Sequence, residues 1–340
     1  MFAVCRQGES LSVVALDGPA PSTRAVFRAV DTLGAVGRAA LTVTRRARLV
    51  LRLPGLRPVF VSAPRDASDA PFVAEPGPPG PPPESPGLAV VGPDGSRLWA
   101  ETGRLWILGP DDASPFAVLL PAEVAPRALA FDAAGEVHLV GVRTNAAAHL
   151  PVWLHLTGGQ IRTPSLPLDA DGTAALFDAT GVPEPVALDV AGLPLVFAFD
   201  VGRLDRPRGA VVVLADAARA RMHVLEEATF VSALRGADGV TLVFDDGRWV
   251  RARDAVDEGV TGDFAPRVRA ALGERRGRLV VDAVTRSRGE TWLAVSLEDP
   301  TELEVPLCAA ILRLPDDASA ASVVARAPEG VRYEALACDA

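Results

Sequence analysis

Short apolar runs alternate with brief polar segments rich in Asp, Gly, Pro and Ser along the whole chain. Two stretches show the pattern at length: "LWILGPDDASPFAVLLPAEVAPRALAFDA" (105–133) and "AAILRLPDDASAASVVARAPEGVRYEALACDA" (309–340). Each has an apolar strand, an acidic turn, a second apolar strand, a proline-bearing loop and then Ala-Leu-Ala-x-Asp-Ala. Weaker copies lie upstream in "LSVVALDGPAPSTRAVFRAV" (11–30) and "VFVSAPRDASDAPFVAEP" (59–76). The serines closing the turns are Ser22, Ser68, Ser114 and Ser319, and the first three are spaced by 46 residues. A fixed period of this size marks arrays of small supersecondary units.

Further strand–turn–strand units follow at Gly158-Gly159, around 215–220 and around 254–263, which brings the total to seven. Two more strands precede each turn, as in 128–143, 230–247 and 278–297. Short β-rich runs joined by Gly-bearing turns read as hairpins, so each repeat is a four-stranded antiparallel sheet.

Seven such sheets of about 48 residues use the whole chain. The pattern resembles the blades of a β-propeller, which packs four-stranded sheets radially around a channel so that each blade buries its neighbours' faces. Neither Gly-His nor Trp-Asp, the dipeptides of WD40 repeats, occurs. The resemblance implies an all-β, seven-bladed propeller spanning 1–340 as one domain. "EALACDA" at the C-terminus matches a first strand (compare "RALAFDA", 127–133), and "FAVCR", "SLSVVAL" and "RAVFRAV" supply a second, third and fourth. Residues 331–338 are therefore expected to pair with 2–6 and close the ring. An alternative division makes 1–66 a small α+β module with a helix at 23–33 capped by Ser22. In that division 67–87 is a linker and 88–340 the propeller. The Pro-rich "EPGPPGPPPESPG" (75–87) is an inter-blade loop in the first reading and a polyproline linker in the second.

Composition narrows the chemistry. All 34 basic residues are arginine, which excludes a Walker A lysine, a Schiff-base lysine and a kinase-type ATP lysine. A net charge of −9 opposes general nucleic-acid binding, and no cofactor signature is present. Two arginine clusters, Arg45, Arg46, Arg48 and Arg275, Arg276, Arg278, read as solvated strand edges and loops. Cys5, Cys308 and Cys338 lack metal or disulfide spacing and read as core residues. Arg6 and Glu9 interrupt any apolar leader, and no long uncharged apolar run follows, so a cytoplasmic protein outside the membrane is expected.

Candidate chemistry is sparse. His149 and His155 share one face of a strand broken by Pro151, without an evident third ligand, and no metal site is expected. His138 and His223 sit singly in strand-like runs and read as satisfied interior or edge residues. "LDADGTAALFD" (168–178) matches the start of a calcium loop only at Asp169, Asp171 and Gly172, and reads as a turn. Asp111/Asp112 and Asp316/Asp317 recur in equivalent turns, which makes them turn formers rather than catalytic pairs.

The propeller resemblance implies that ligands meet the face built by connections from one blade's last strand to the next blade's first, and from second strands to third. Here those loops are 75–87, 121–127, 144–150, 168–184, 201–208, 267–277 and 298–305. They carry Arg203, Asp205, Arg206, Arg208, Arg275, Arg276, Glu298, Asp299, Glu302 and Glu304. Such a mixed-charge rim suits a protein partner, and a non-catalytic interaction platform is the expected function. The chain also resembles the diverged propellers that accompany MoxR-type AAA+ ATPases and von Willebrand A proteins in bacteria, which implies those partners. The rival class is a propeller lyase, lactonase or hydrolase using loop carboxylates or a metal.

Overall fold

A computed structural model describes residues 1–7, 10–16, 22–28, 40–43, 49–52, 59–62, 73–75, 88–92, 94, 96–101, 103–109, 111–112, 114–144, 149–201, 209–274, 276–299, 302–316 and 320–337. Among them the strands form seven four-stranded antiparallel sheets. Blade I joins β28 (Val331–Ala337) to β1 (Phe2–Gln7), β2 (Ser10–Ala15) and β3 (Ser22–Arg28). Blade II holds β4 (Ala40–Val43), β5 (Leu49–Arg52), β6 (Val59–Ser62) and β7 (Val73–Glu75). Blade III holds β8 (Ala89–Val91), β9 (Arg97–Glu101), β10 (Arg104–Leu108) and β11 (Phe116–Leu119). Blade IV holds β12 (Val124–Phe131), β13 (Val137–Thr144), β14 (His149–Thr157) and β15 (Gln160–Arg162). Blade V holds β16 (Glu184–Asp189), β17 (Leu195–Asp200), β18 (Gly209–Ala215) and β19 (Ala220–Glu226). Blade VI holds β20 (Phe230–Gly236), β21 (Gly239–Phe244), β22 (Arg248–Ala252) and β23 (Val260–Asp263). Blade VII holds β24 (Arg278–Ser287), β25 (Glu290–Asp299), β26 (Glu302–Pro315) and β27 (Ser322–Arg326).

First strands of successive blades touch: β28 with β4, β8 with β12, β12 with β16, β20 with β24 and β24 with β28. This is the radial packing of a seven-bladed β-propeller. The ring closes as the repeat predicts. Phe2 faces Ala337 and Gln7 faces Val331 across the antiparallel β1–β28 pair. Ser22–Arg28 is a strand of that same sheet, paired with β2, and not the start of a helix at 23–33. Residues 29–33 lie outside the described residues, as do 76–87 of the Pro-rich stretch.

Among the described residues the core is divided among the blade interfaces, because neighbouring sheets pack apolar faces on one another. Leu98, Leu105, Leu129 and Leu139 pack between blades III and IV, and Val212, Leu214, Leu242 and Phe244 between V and VI. Ala3, Ile311, Tyr333 and Leu336 pack between VII and I. Each methylene so buried contributes about 0.8 kcal/mol.

Two features escape the repeat pattern. Helices α1 (Ala170–Thr180) and α2 (Ala265–Leu272) occupy the connections IV–V and VI–VII, where 168–184 and 267–277 were expected to be loops. The Asp169 carboxylate accepts from Gly172 N at 2.7 Å and starts α1, so "DADG" is a helix cap and not the expected turn. The N-cap Phe264 and, within α2, Val268 and Leu272 recur every fourth residue and enter the blade VI–VII core. The second feature is a β-bulge in the first strand of five blades, at Arg127, Val186, Val231, Asp282 and Glu334. An extra residue there bends the strand and re-aims one side chain.

Candidate functional site: a cleft between blades VI and VII

The connections from β19 to β20, β21 to β22 and β23 to β24 meet at one end of blades VI and VII. They enclose a cleft of about 530 Å³ lined by Glu227, Thr229, Asp245, Asp246, Ala265, Arg269, Arg278 and Leu279. Asp245 directly follows β21 and is buried. Its backbone N donates to Thr229 O (2.9 Å), its O accepts from Val281 N (2.6 Å), and its Oδ1 accepts from Thr229 N (2.7 Å). The Asp245 main chain is thus held from two blades, and its carboxylate by Thr229 N alone. Its Oδ2 lies 3.9 Å from an Arg278 Nη2, beyond hydrogen-bond reach.

The rest of the cleft is less balanced. Thr229 Oγ1 is buried without a hydrogen-bond partner. Glu227, two residues before it, has φ +58, one of two non-glycine residues with positive φ among the described ones. Asp246 is ion-paired with Arg248, and Arg269 donates to Gly277 O at 2.9 Å. Gly247 is required here: at φ +94 it turns β21 into β22, while its O accepts from Phe264 N at 2.9 Å and ties the turn to α2.

The sequence-derived rim residues are placed unevenly. Arg203, Asp205, Arg206, Arg208 and Arg275 lie outside the described residues. Arg276 is exposed. Glu298 is not on a loop: β25 runs through Asp299, and the Glu298 carboxylate is buried and accepts from Arg332 Nη2 at 2.6 Å. Asp299 is half-buried at the end of that strand. Glu302 and Glu304 fall within β26, so the expected loop 298–305 is mostly strand. The cleft residues themselves were missed, because "FDDG" reads locally as a tight turn. Its convergence with 227–229 comes from the neighbouring connection.

A second polar cluster lies at the other end of blade IV, where β12 turns into β13. His138 does not sit singly: it faces His155 across the β13–β14 register, rings stacked at 4.1 Å. Its Nε2 is 3.2 Å from Asp132 Oδ2, and His155 Nε2 is 2.8 Å from Glu136 Oε2. Ligand atoms of Asp132, His138 and His155 lie within 4.8 Å of one another, close enough to share a cation. Trp153 decides against it. Its indole N–H, a donor only, gives to His138 Nδ1 at 3.1 Å, so the neutral ring carries its proton on Nε2 and points it at Asp132. A metal at Nε2 needs the opposite tautomer, with Nδ1–H facing an acceptor. Burial holds the His138 pKa below its ordinary value, which fits the same neutral state. Burial opposes ionisation of Asp132, but hydrogen bonds from the Glu136 and Ala134 backbone and from His138 outweigh it and lower its pKa.

His223 lines a groove of about 630 Å³ between the outer strands of blades V and VI. Against expectation it is not satisfied: its Nε2 is buried without a partner, and burial lowers its pKa.

No family model matches the chain, and no curated protein does. Solved structures do. The fold aligns with a protein from Lactobacillus plantarum over 98% of this chain and 99% of that one, at 12% identity and TM-score 0.52. It aligns with a catalytically inactive virginiamycin B lyase from Staphylococcus aureus, solved with quinupristin, over 86% and 85% of the chains, at 13% identity and TM-score 0.50. TolB from Acinetobacter baumannii aligns over 98% and 66%, at 10% identity and TM-score 0.43. The likeness is one of fold. A shared fold at this identity leaves the activity open.

Proposed function

We propose that the protein is a non-catalytic platform whose face at the cleft end of blades VI and VII docks another protein. The observation that carries this reading is Leu307. It is 57% exposed at a register shift within β26, and a Cβ built on Gly277 would lie 3.2 Å from its Cδ1. Exposed Arg276 and Arg278 flank Gly277 in sequence. An apolar anchor bordered by arginines is the composition of an interface centre with a polar rim. The mixed-charge residues Arg203, Asp205, Arg206, Arg208 and Arg275 are proposed as further contacts of the same partner.

The resemblance to propellers accompanying AAA+ ATPases and von Willebrand A proteins makes those the first partners to test. The test is co-purification of the full chain from its native host, alongside a Leu307→Asp/Arg276→Glu variant of unchanged melting temperature. A stoichiometric protein retained by the wild type and lost from the variant is expected. A stoichiometric bound metal with no partner, or a partner indifferent to both substitutions, would overturn the proposal.

A further inference from the structure

We infer that the cleft between blades VI and VII receives a primary ammonium group, the side chain of a lysine on the docked partner. This rests on the reading of that face as a protein-docking surface and adds to it the chemistry of one contact.

Three observations converge. Thr229 Oγ1 is buried with an unused acceptor and donor, a state native structures rarely leave uncompensated. Asp245 is buried, and only Oδ1 is engaged by main chain, while Oδ2 has the Arg278 guanidinium no nearer than 3.9 Å. Glu227 is held at φ +58, a costly conformation for a residue with a Cβ, and such outliers gather at ligand clamps. All three residues line the same cleft with apolar Ala265 and Leu279; of its other charged residues, Asp246 pairs with Arg248, Arg269 donates to Gly277 O, and Arg278 stays 3.9 Å from Asp245 Oδ2.

The geometry selects among cations. An ammonium is a compact charge with three donors, and it can serve a hydroxyl, one carboxylate oxygen and a second carboxylate at once. A guanidinium gains most as a planar fork on both oxygens of one carboxylate, and at Asp245 that fork would have to share Oδ1 with Thr229 N. The four-carbon stem of lysine fits the Ala265 and Leu279 wall while its head reaches the polar floor. This chain contains no lysine, so the group must come from another molecule.

The experiment titrates the full-length protein with Nα-acetyl-lysine amide, followed by amide NMR shifts at 227–229 and 245–246. Parallel titrations use the Nε-acetylated compound, Nα-acetyl-arginine amide and glycinamide. Saturable binding of the lysine amide is expected, with at least tenfold weaker binding after Asp245→Asn and several-fold weaker binding after Thr229→Val. The Nε-acetylated compound should not bind, and the arginine and glycine compounds should bind more weakly. Thermal melting establishes that each variant is folded, and if one of the two fails to fold, the other decides. Absence of saturation with wild type, or equal binding by the Nε-acetylated compound or by both variants, would overturn the inference. Because the probe is a small amide, this result is independent of the Leu307→Asp/Arg276→Glu co-purification. Loss of lysine binding with a partner still docking refutes only the ammonium site.

Discussion

Arg6 and Glu334, 328 residues apart in sequence, form an ion pair across the seam of blade I. The second contact of that pair, Arg6 Nη2 to Glu334 Oε2, is 3.3 Å, and the glutamate occupies the bulge of β28. Glu334→Ala leaves a half-buried guanidinium without this partner at the point where the ring is fastened. A loss of about 1–2 kcal/mol is expected, reduced from the fully buried case because Arg6 is partly solvated. Urea denaturation monitored by fluorescence measures it.

Cys5 faces Tyr333 across the same seam, and burial pushes its thiol up to about 12. Since the thiolate is the reactive form, Cys5 should resist iodoacetamide at pH 8 in the intact protein. A chain ending at residue 328 lacks β28, and its Cys5 should alkylate readily while the melting temperature drops. Equal labelling of both chains, read by peptide mass spectrometry, would mean that the seam does not protect it.

His138 links stability to pH. Its folded pKa lies below the ordinary 6.5, so under acid the unfolded chain takes up more protons than the folded one. The contribution is complete above about pH 6.5 and falls as pH drops toward the folded value. Stability of the wild type should therefore decline between pH 7 and pH 5, and His138→Gln should flatten that slope. Trp153→Phe removes the donor that fixes the tautomer. It should move the His138 titration, followed by imidazole proton NMR, upward toward its ordinary value.

Two glycines separate backbone strain from backbone collision. At Gly239, φ is +120 and an added Cβ would lie 2.2 Å from Ala252 O and 2.7 Å from Arg253 Cα, atoms of main chain that cannot swing aside. Gly289 has φ +78 with open space around it. Gly239→Ala should cost about 2–4 kcal/mol and Gly289→Ala about 1 kcal/mol in chemical denaturation. Similar losses at both would show that the β21–β22 contact yields.

The helix between blades IV and V depends on its cap. Asp169→Ala removes the acceptor for Gly172 N and should lower stability by about 1 kcal/mol, whereas Asp169→Ser should restore most of it. Leu176 is fully buried on this helix, so its docking survives but loosens. Thermal melts of the pair of variants decide the point.

The blades were legible because their signals are local. The turns ending near Ser22, Ser114 and Gly159 carry the Asp, Gly and Ser that turn chemistry demands and lie between third and fourth strands, while Ser68 and Ser319 lie outside the described residues. Asp112 Oδ2 accepts from Gly109 N at 2.9 Å, the work expected of a turn former. Both helices were overlooked because each is short, and α1 opens with the same Asp-Gly chemistry that makes turns elsewhere.

What the sequence determined by itself was the number of blades, their strand order and the closure of the ring, since period, alternation and turn residues are properties of neighbouring positions. The tertiary structure alone decided which polar groups meet. His138 faces His155 only through the β13–β14 register, and Trp153 then fixes its proton. Thr229 and Asp245 are brought together by the pairing of β20 with β21, and Arg278 arrives from the next blade. Those contacts depend on register, bulges and the packing of one blade on another, and no short stretch of sequence encodes them.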